Sequence, residues 1–237
     1  SFTADILKVR PSTFINRIKT LSGLSDDPSV HFLQLLQENP KVDYRFFILM
    51  KSGNFDSKSL QGNDKKELVL QLSKLGKIGL HPSYDADLQP ELITSQKEFL
   101  ETILELKVTT SRQHFLRISI PGYFQSLIKL GITDDFTVGY YDQPGFMAGV
   151  SIPFYFYDLS NEVQTNLLLH PFVWMDSMYK YYADSSQKDQ VFNDFEQILM
   201  SVKTLNGCFH AVFHNDTFFN KNPDESIQKI FSTLSRC

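Results

Sequence analysis

Cysteine is nearly missing from this chain: of 237 residues, only Cys208 and Cys237 carry thiols. Two cysteines cannot build a disulfide framework, and no CxxC or Cys/His spacing offers a structural zinc site. That usage suits a reducing compartment. Charge of one sign is also missing. Lys and Arg total 23 against 27 Asp and Glu, a net charge of -4, and they are scattered. This excludes the basic stripe of a nucleic-acid binder. No apolar run approaches the ~20 residues that cross a bilayer, and no signal-peptide pattern is visible. Together these favour a cytoplasmic location over a secreted one, with no membrane span. The chain opens on Ser1 rather than Met, as a trimmed start would leave it. Glycine occurs 11 times without forming a phosphate-binding loop, so no nucleotide fingerprint is present. The sequence carries no signal for an oligomeric state.

Hydrophobic residues make up 42% of the chain and aromatics 14%, enough for one large core over residues 1–237. Short β-type runs alternate with helical patterns, which argues for βα units around parallel strands. Residues 44–50 (YRFFILM) form a continuous apolar run, as a strand buried on both faces requires. A helix is expected over 64–75, stopped by Gly76, and a short strand over 77–80. Residues 90–106 read as a helix with Leu92, Phe99, Ile103 and Leu106 on its apolar stripe. Strands are expected over 108–116, 136–141, 151–159, 167–175 and 208–213, with helices over 123–130, 189–205 and 224–234. The first strand lies within residues 2–9. No repeat or linker divides the chain. A single closed α/β barrel is the economical reading, and an open doubly wound sheet is the alternative.

In such a barrel the chemistry gathers at the C-terminal ends of the strands. Four polar clusters fall there: Asp5, His81 with Asp85, Arg112 with His114, and His214 with Asn215 and Asp216. Two histidines and a carboxylate on one rim match the ligand set of a catalytic divalent ion. Each residue alone has a plainer reading. His81 could cap its strand, His114 could be a satisfied core histidine, Asp5 a surface carboxylate, and His214 ordinary turn chemistry. His31, His170 and His210 are assigned to structure. His210, four residues before His214 and so on the same face of its strand, is a second-layer candidate. The aromatics Tyr140, Tyr141, Phe154, Tyr155, Phe156 and Tyr157 could form a sugar-stacking wall, although core packing is the commoner fate of such a run.

The runs IGLHPSY, SRQHFL, GITDDFTVGYYDQPGFMAG, PFYFYDL and FHN occur in this order and span nearly the whole chain. In that arrangement the sequence resembles a divergent bacterial branch of the polysaccharide deacetylase superfamily. The resemblance implies a single irregular (β/α)7-type barrel and removal of N- or O-acetyl groups from a saccharide. It also implies a divalent ion, zinc the first choice. Asp5 resembles the metal-binding Asp of the first strand, His81 the first metal histidine, and His214 the late catalytic histidine. Arg112 resembles the arginine that positions the base. The third ligand is expected at His114 rather than Asp85. Two departures stand out. Thr3 occupies the position of the base and cannot serve as one near neutral pH, so Asp85 or Asp216 would have to substitute. Met147 stands where an arginine is expected. Two alternatives follow: a degenerate relative that binds glycan or a partner without turnover, and a metal-dependent hydrolase of another amide or ester.

Overall fold

The apolar run at 44–50 becomes a strand, and its neighbours follow from it. The structure, a computed structural model, describes residues 33, 35–50, 63–179, 190–214, 217 and 225–234. Strand β1, Arg45–Leu49, pairs in parallel with β2, Lys77–His81, so that Leu49 stands opposite His81. Helix α1, Asn63–Leu72, makes the crossover and buries Val69 and Leu72. Gly76 is required at the return, because a Cβ there would lie 2.4 Å from the Tyr44 carbonyl oxygen. Helix α2, Pro90–Leu104, leads to β3, Thr110–Ser111, and α3, Gly122–Lys129, to β4, Asp134–Asp135. Strands β5, Phe154–Asp158, and β6, Val163–Leu169, form a hairpin. Then come β7, Trp174–Met175, helix α4, Val191–Thr204, β8, Ala211–Val212, and α5, Glu225–Leu234.

Six strands form one sheet in the order β1-β2-β3-β4-β6-β5, parallel throughout except for the antiparallel edge strand β5. β7 and β8 form a second, parallel pair. The expected α/β fold with a parallel-dominated sheet is therefore present. Among the described residues its strands fall into these two sheets. Helices cover one face. Leu80, Leu167 and Leu169 pack there against Ile93, Leu100, Phe124 and Leu127 of α2 and α3. Each such fully buried aliphatic side chain contributes about 1.5–3 kcal/mol. The opposite face carries Phe47, whose ring lies 5.4 Å from Phe136, and Phe136 stacks on His170 at 4.2 Å. Gly79 leaves room on that face, since a Cβ would meet the Phe47 ring and Thr110 Oγ1 at 2.6 Å.

Several boundaries differ from the sequence reading. The strand expected over 167–175 is two strands, β6 and β7, broken around Pro171, which has no N–H to offer a ladder. The strand expected over 108–116 shortens to two residues, and His114–Leu116 is a 3-10 turn instead. The strand expected over 136–141 is the two-residue β4, placed earlier. Half of the expected α2 stripe holds: Ile103 is buried and Leu92 packs against the core. Ile93, Gln96, Lys97, Leu100 and Ile103 face inward, while Phe99 and Leu106 are exposed. The aromatic run of β5 is not core either: Phe156 alone is buried, against Phe124 at 4.9 Å, and Phe154, Tyr155 and Tyr157 are exposed.

Candidate functional site

The parallel strands end on one rim, and there the polar residues collect. His81 is the last residue of β2. Its Nδ1 donates to the Arg112 carbonyl oxygen. A carbonyl can only accept, so Nδ1 carries the proton and Nε2 keeps its lone pair. Burial pushes the His81 pKa well down, and Arg112, His114 and His214 add to the effect through their charges. Those three groups therefore lie within electrostatic reach of one neutral imidazole.

His114 stands beside it. The two rings are 4.9 Å apart, edge to face. His114 is not a strand residue, as the sequence reading expected; it opens the 3-10 turn after β3. The turn is unusual, because Phe115 and Leu116, at φ 58 and φ 54, both occupy the left-handed region without being glycine. Ring contacts fix it: Phe115 packs on His114 at 4.5 Å and on Tyr84 at 5.5 Å.

Arg112 is buried behind these rings. One Nη2–H points at Met175 Sδ, 3.5 Å away, and the guanidinium lies 5.3 Å from the centre of the Phe172 ring. Its Nε has no partner among the described residues. Burial brings its pKa down to about 10, opposed by the charges of Asp176 and Asp135.

Across the rim, His214 follows β8. Its Nδ1 donates to Asp176 Oδ1 at 2.7 Å, and its backbone N–H donates to Asp176 Oδ2, also at 2.7 Å. The Thr217 hydroxyl donates to the same Oδ2. The Asp176 side chain is 3% exposed and that of His214 is 45% exposed, so a buried carboxylate holds an accessible imidazole. The sequence reading did not single out Asp176. The available signal was the rule that found His81: Asp176 is the first polar residue after an apolar strand.

Asp85 follows His81 by four residues. It lies in the 3-10 turn Tyr84–Asp87, and its carboxylate is 4.0 Å from Arg117. Asp5, Thr3, His31, Asn215, Asp216 and Cys237 lie outside the described residues. Cys208 is exposed and free. His170 bonds Asp134 at 2.7 Å. His210 donates to the Pro171 carbonyl at 3.0 Å and sits 5.6 Å from His170, in the aromatic layer with Phe136 rather than behind His81. Met147 is an exposed residue of the loop whose Gly145 N–H is tied to the Val173 carbonyl at 2.9 Å.

The imidazole pair can be tested against a divalent ion by its donor chemistry. Two nitrogen donors bonded to one tetrahedral ion at about 2.1 Å put their rings roughly 5 Å apart, which the spacing of His81 and His114 allows. The carbonyl bond to His81 Nδ1 is the usual outer partner of a ligating histidine. No cluster of three His, Cys, Asp or Glu occurs among the described residues, so a carboxylate ligand would come from outside them. No described helix is long and apolar enough to cross a membrane.

No family model matches this sequence, and no curated protein matches it. Solved structures do. A putative polysaccharide deacetylase from Mycobacterium smegmatis superposes with a TM-score of 0.62 at 14% identity, over 97% of this chain and 79% of that one. A 4-alpha-glucanotransferase from Thermococcus litoralis superposes with a TM-score of 0.54 at 15% identity, over 86% of this chain and 31% of that one. The chain therefore has a deacetylase-like fold.

Proposed function

We propose that this chain is a metal-dependent hydrolase that removes acetyl groups from an N- or O-acetylated saccharide. The observation that carries the reading is the pair of tethered histidines on one rim: His81, neutral, with the lone pair on Nε2, and His214, accessible, held by the buried Asp176. The deacetylase-like fold supports the choice of reaction.

His81 and His114 would hold the ion, zinc the first choice, with Asp5 as the expected oxygen donor. Once bound, a divalent ion supplies Lewis-acid chemistry for acyl transfer to water. The chain's own groups do the rest. Asp176 fixes the proton on His214 Nδ1, which aims Nε2 outward as the atom that protonates the departing amine or alcohol. Arg112 offers its unpaired Nε–H to a carboxylate or an oxyanion. Such a donor, preorganised away from water, is worth about 3 kcal/mol in the transition state. For the base, Asp85 and Asp216 are the candidates that replace Thr3. Exposed Tyr155 and Tyr157 would give a sugar a stacking surface.

The test is acetate release from a panel of N- and O-acetylated oligosaccharides. Wild type should release acetate, and His214→Ala should lose most of it while binding the same sugars. The Thr3 departure favours a second reading, in which the chain binds an acetylated glycan without turnover. Saturable binding with no acetate released by any substrate would select it.

A further inference from the structure

A hydrogen-bond path leaves the site through a single peptide unit, the one shared by Arg112 and Gln113. On its carbonyl side it accepts from His81 Nδ1–H. On its amide side the Gln113 N–H donates to Thr137 Oγ1 at 3.0 Å. The Thr137 hydroxyl lies 2.9 Å from Asp135 Oδ2, and the Thr137 backbone N–H lies 2.9 Å from Oδ1. With Asp135 ionised, each group donates to the next: imidazole to peptide, peptide to hydroxyl, hydroxyl to carboxylate. Asp135 and Gln113 are fully buried and Thr137 nearly so, which excludes water as a competitor. Hydrogen bonds aligned in this way polarise one another in a low-dielectric interior.

The loop after His81 is tied to the same residues. Gln113 Nε2 donates to the Ser83 carbonyl at 3.0 Å. Gln96 of α2 then holds Ser83 twice, accepting its N–H at 3.0 Å and donating to its hydroxyl at 2.7 Å. A strand end needs only some acceptor for the Gln113 N–H. A buried carboxyl behind that acceptor is a costly addition that packing does not require.

We propose that Asp135 and Thr137 are positioning residues that act through the Arg112–Gln113 peptide to hold His81 in the tautomer that leaves Nε2 free for the ion. The inference rests on the reading of His81 as an ion ligand. Metal-binding histidines commonly donate their second N–H directly to a carboxylate or a carbonyl. Here the carboxylate stands two groups further back, on the helix-covered side of the sheet.

The experiment uses the full chain labelled with 15N in its histidine rings, without added metal, at about pH 8, where free imidazoles are neutral. A His81→Gln variant assigns the His81 signals. Wild-type His81 should show a single Nδ1–H tautomer. Thr137→Val should convert it to a mixture of tautomers and leave His214 unchanged, and Thr137→Ser should restore the wild-type pattern. Zinc affinity measured on the same proteins should fall about 10–100-fold in Thr137→Val and recover in Thr137→Ser. If Thr137→Val fails to fold, Asp135→Asn, which keeps the volume and removes the charge, should shift the same signals. Wild-type ring shifts in folded Thr137→Val or Asp135→Asn would overturn the proposal. A wild-type chain that takes up no zinc would remove the ion reading alone, because the ring shifts test the positioning role without metal.

Discussion

His81 and His214 sit on the same rim and are tethered by the same ring nitrogen, yet their tethers differ. His81 Nδ1 donates to a neutral peptide carbonyl, and its carboxylate stands beyond Thr137. His214 Nδ1 donates directly to the Asp176 carboxylate. Burial and neighbouring charges push the His81 pKa down, whereas the His214 side chain is 45% exposed. A neutral imidazole with a free lone pair suits a ligand. An accessible imidazole on a buried carboxylate suits proton transfer. One residue type thus serves two tasks, set by what stands behind the ring.

The largest expected effect separates those tasks. His214→Ala should lose most turnover and leave bound ion unchanged, whereas His81→Ala should lose both; acetate assays beside elemental analysis read the two quantities. Asp176→Asn comes next. It keeps the size of the tether and removes its charge, so kcat should fall about 10²–10⁴-fold with ion content constant. Equal loss of ion in Asp176→Asn and His81→Ala would erase the distinction between the two sides.

The residues behind His81 also make stability respond to pH. Burial pushes Asp135 up to about 7 from an ordinary value of 3.8. Between those values the folded chain holds a proton that the unfolded chain releases. The Asp135 contribution to stability therefore falls as pH rises through this window and is level above about 7. The lowered values of His81, His170 and His210 act the other way: their contribution is lost as pH falls below about 6.5, where the unfolded chain takes up protons first. Urea unfolding from about pH 4 to pH 8 should thus show a difference between wild type and Asp135→Asn that changes sharply across the window and is flat above it.

The smallest pair of effects contrasts two neighbours on the edge strand. Phe156→Ala removes a ring packed on Phe124 and should cost about 3–5 kcal/mol of stability. Tyr155→Ala, on the exposed side, should change stability by about 0.5 kcal/mol or less. Loss of saccharide affinity in Tyr155→Ala at unchanged stability would give that exposed face a binding role.

The contrast between the tethers was half legible in the sequence. His81 stood out because four residues of strand pattern precede it and a loop follows. The run at 44–50 marked β1 in the same way. Asp176 was legible by the same rule, since the strand expected over 167–175 ends immediately before it. Strands as short as β3, β4, β7 and β8 offer no alternation to read. Two of their positions, Ser111 and Asp135, bury polar side chains where an apolar residue would have given the signal. Half of the α2 stripe, Phe99 and Leu106, was misplaced for a related reason. Its true face includes Gln96, bonded to Ser83, and Lys97, paired with Glu101 at 2.6 Å. Polar residues with partners of their own interrupt the apolar pattern, and Phe99 and Leu106 offered a smoother false one. The 3-10 turn that carries His114 gave no warning, since its left-handed residues are Phe115 and Leu116 rather than glycine.

Elemental analysis of the purified chain, wild type beside His81→Ala, bears most directly on the central claim. About one equivalent of a divalent transition ion per wild-type chain is expected, falling to background in the variant. Wild-type protein that carries no more ion than His81→Ala would contradict it.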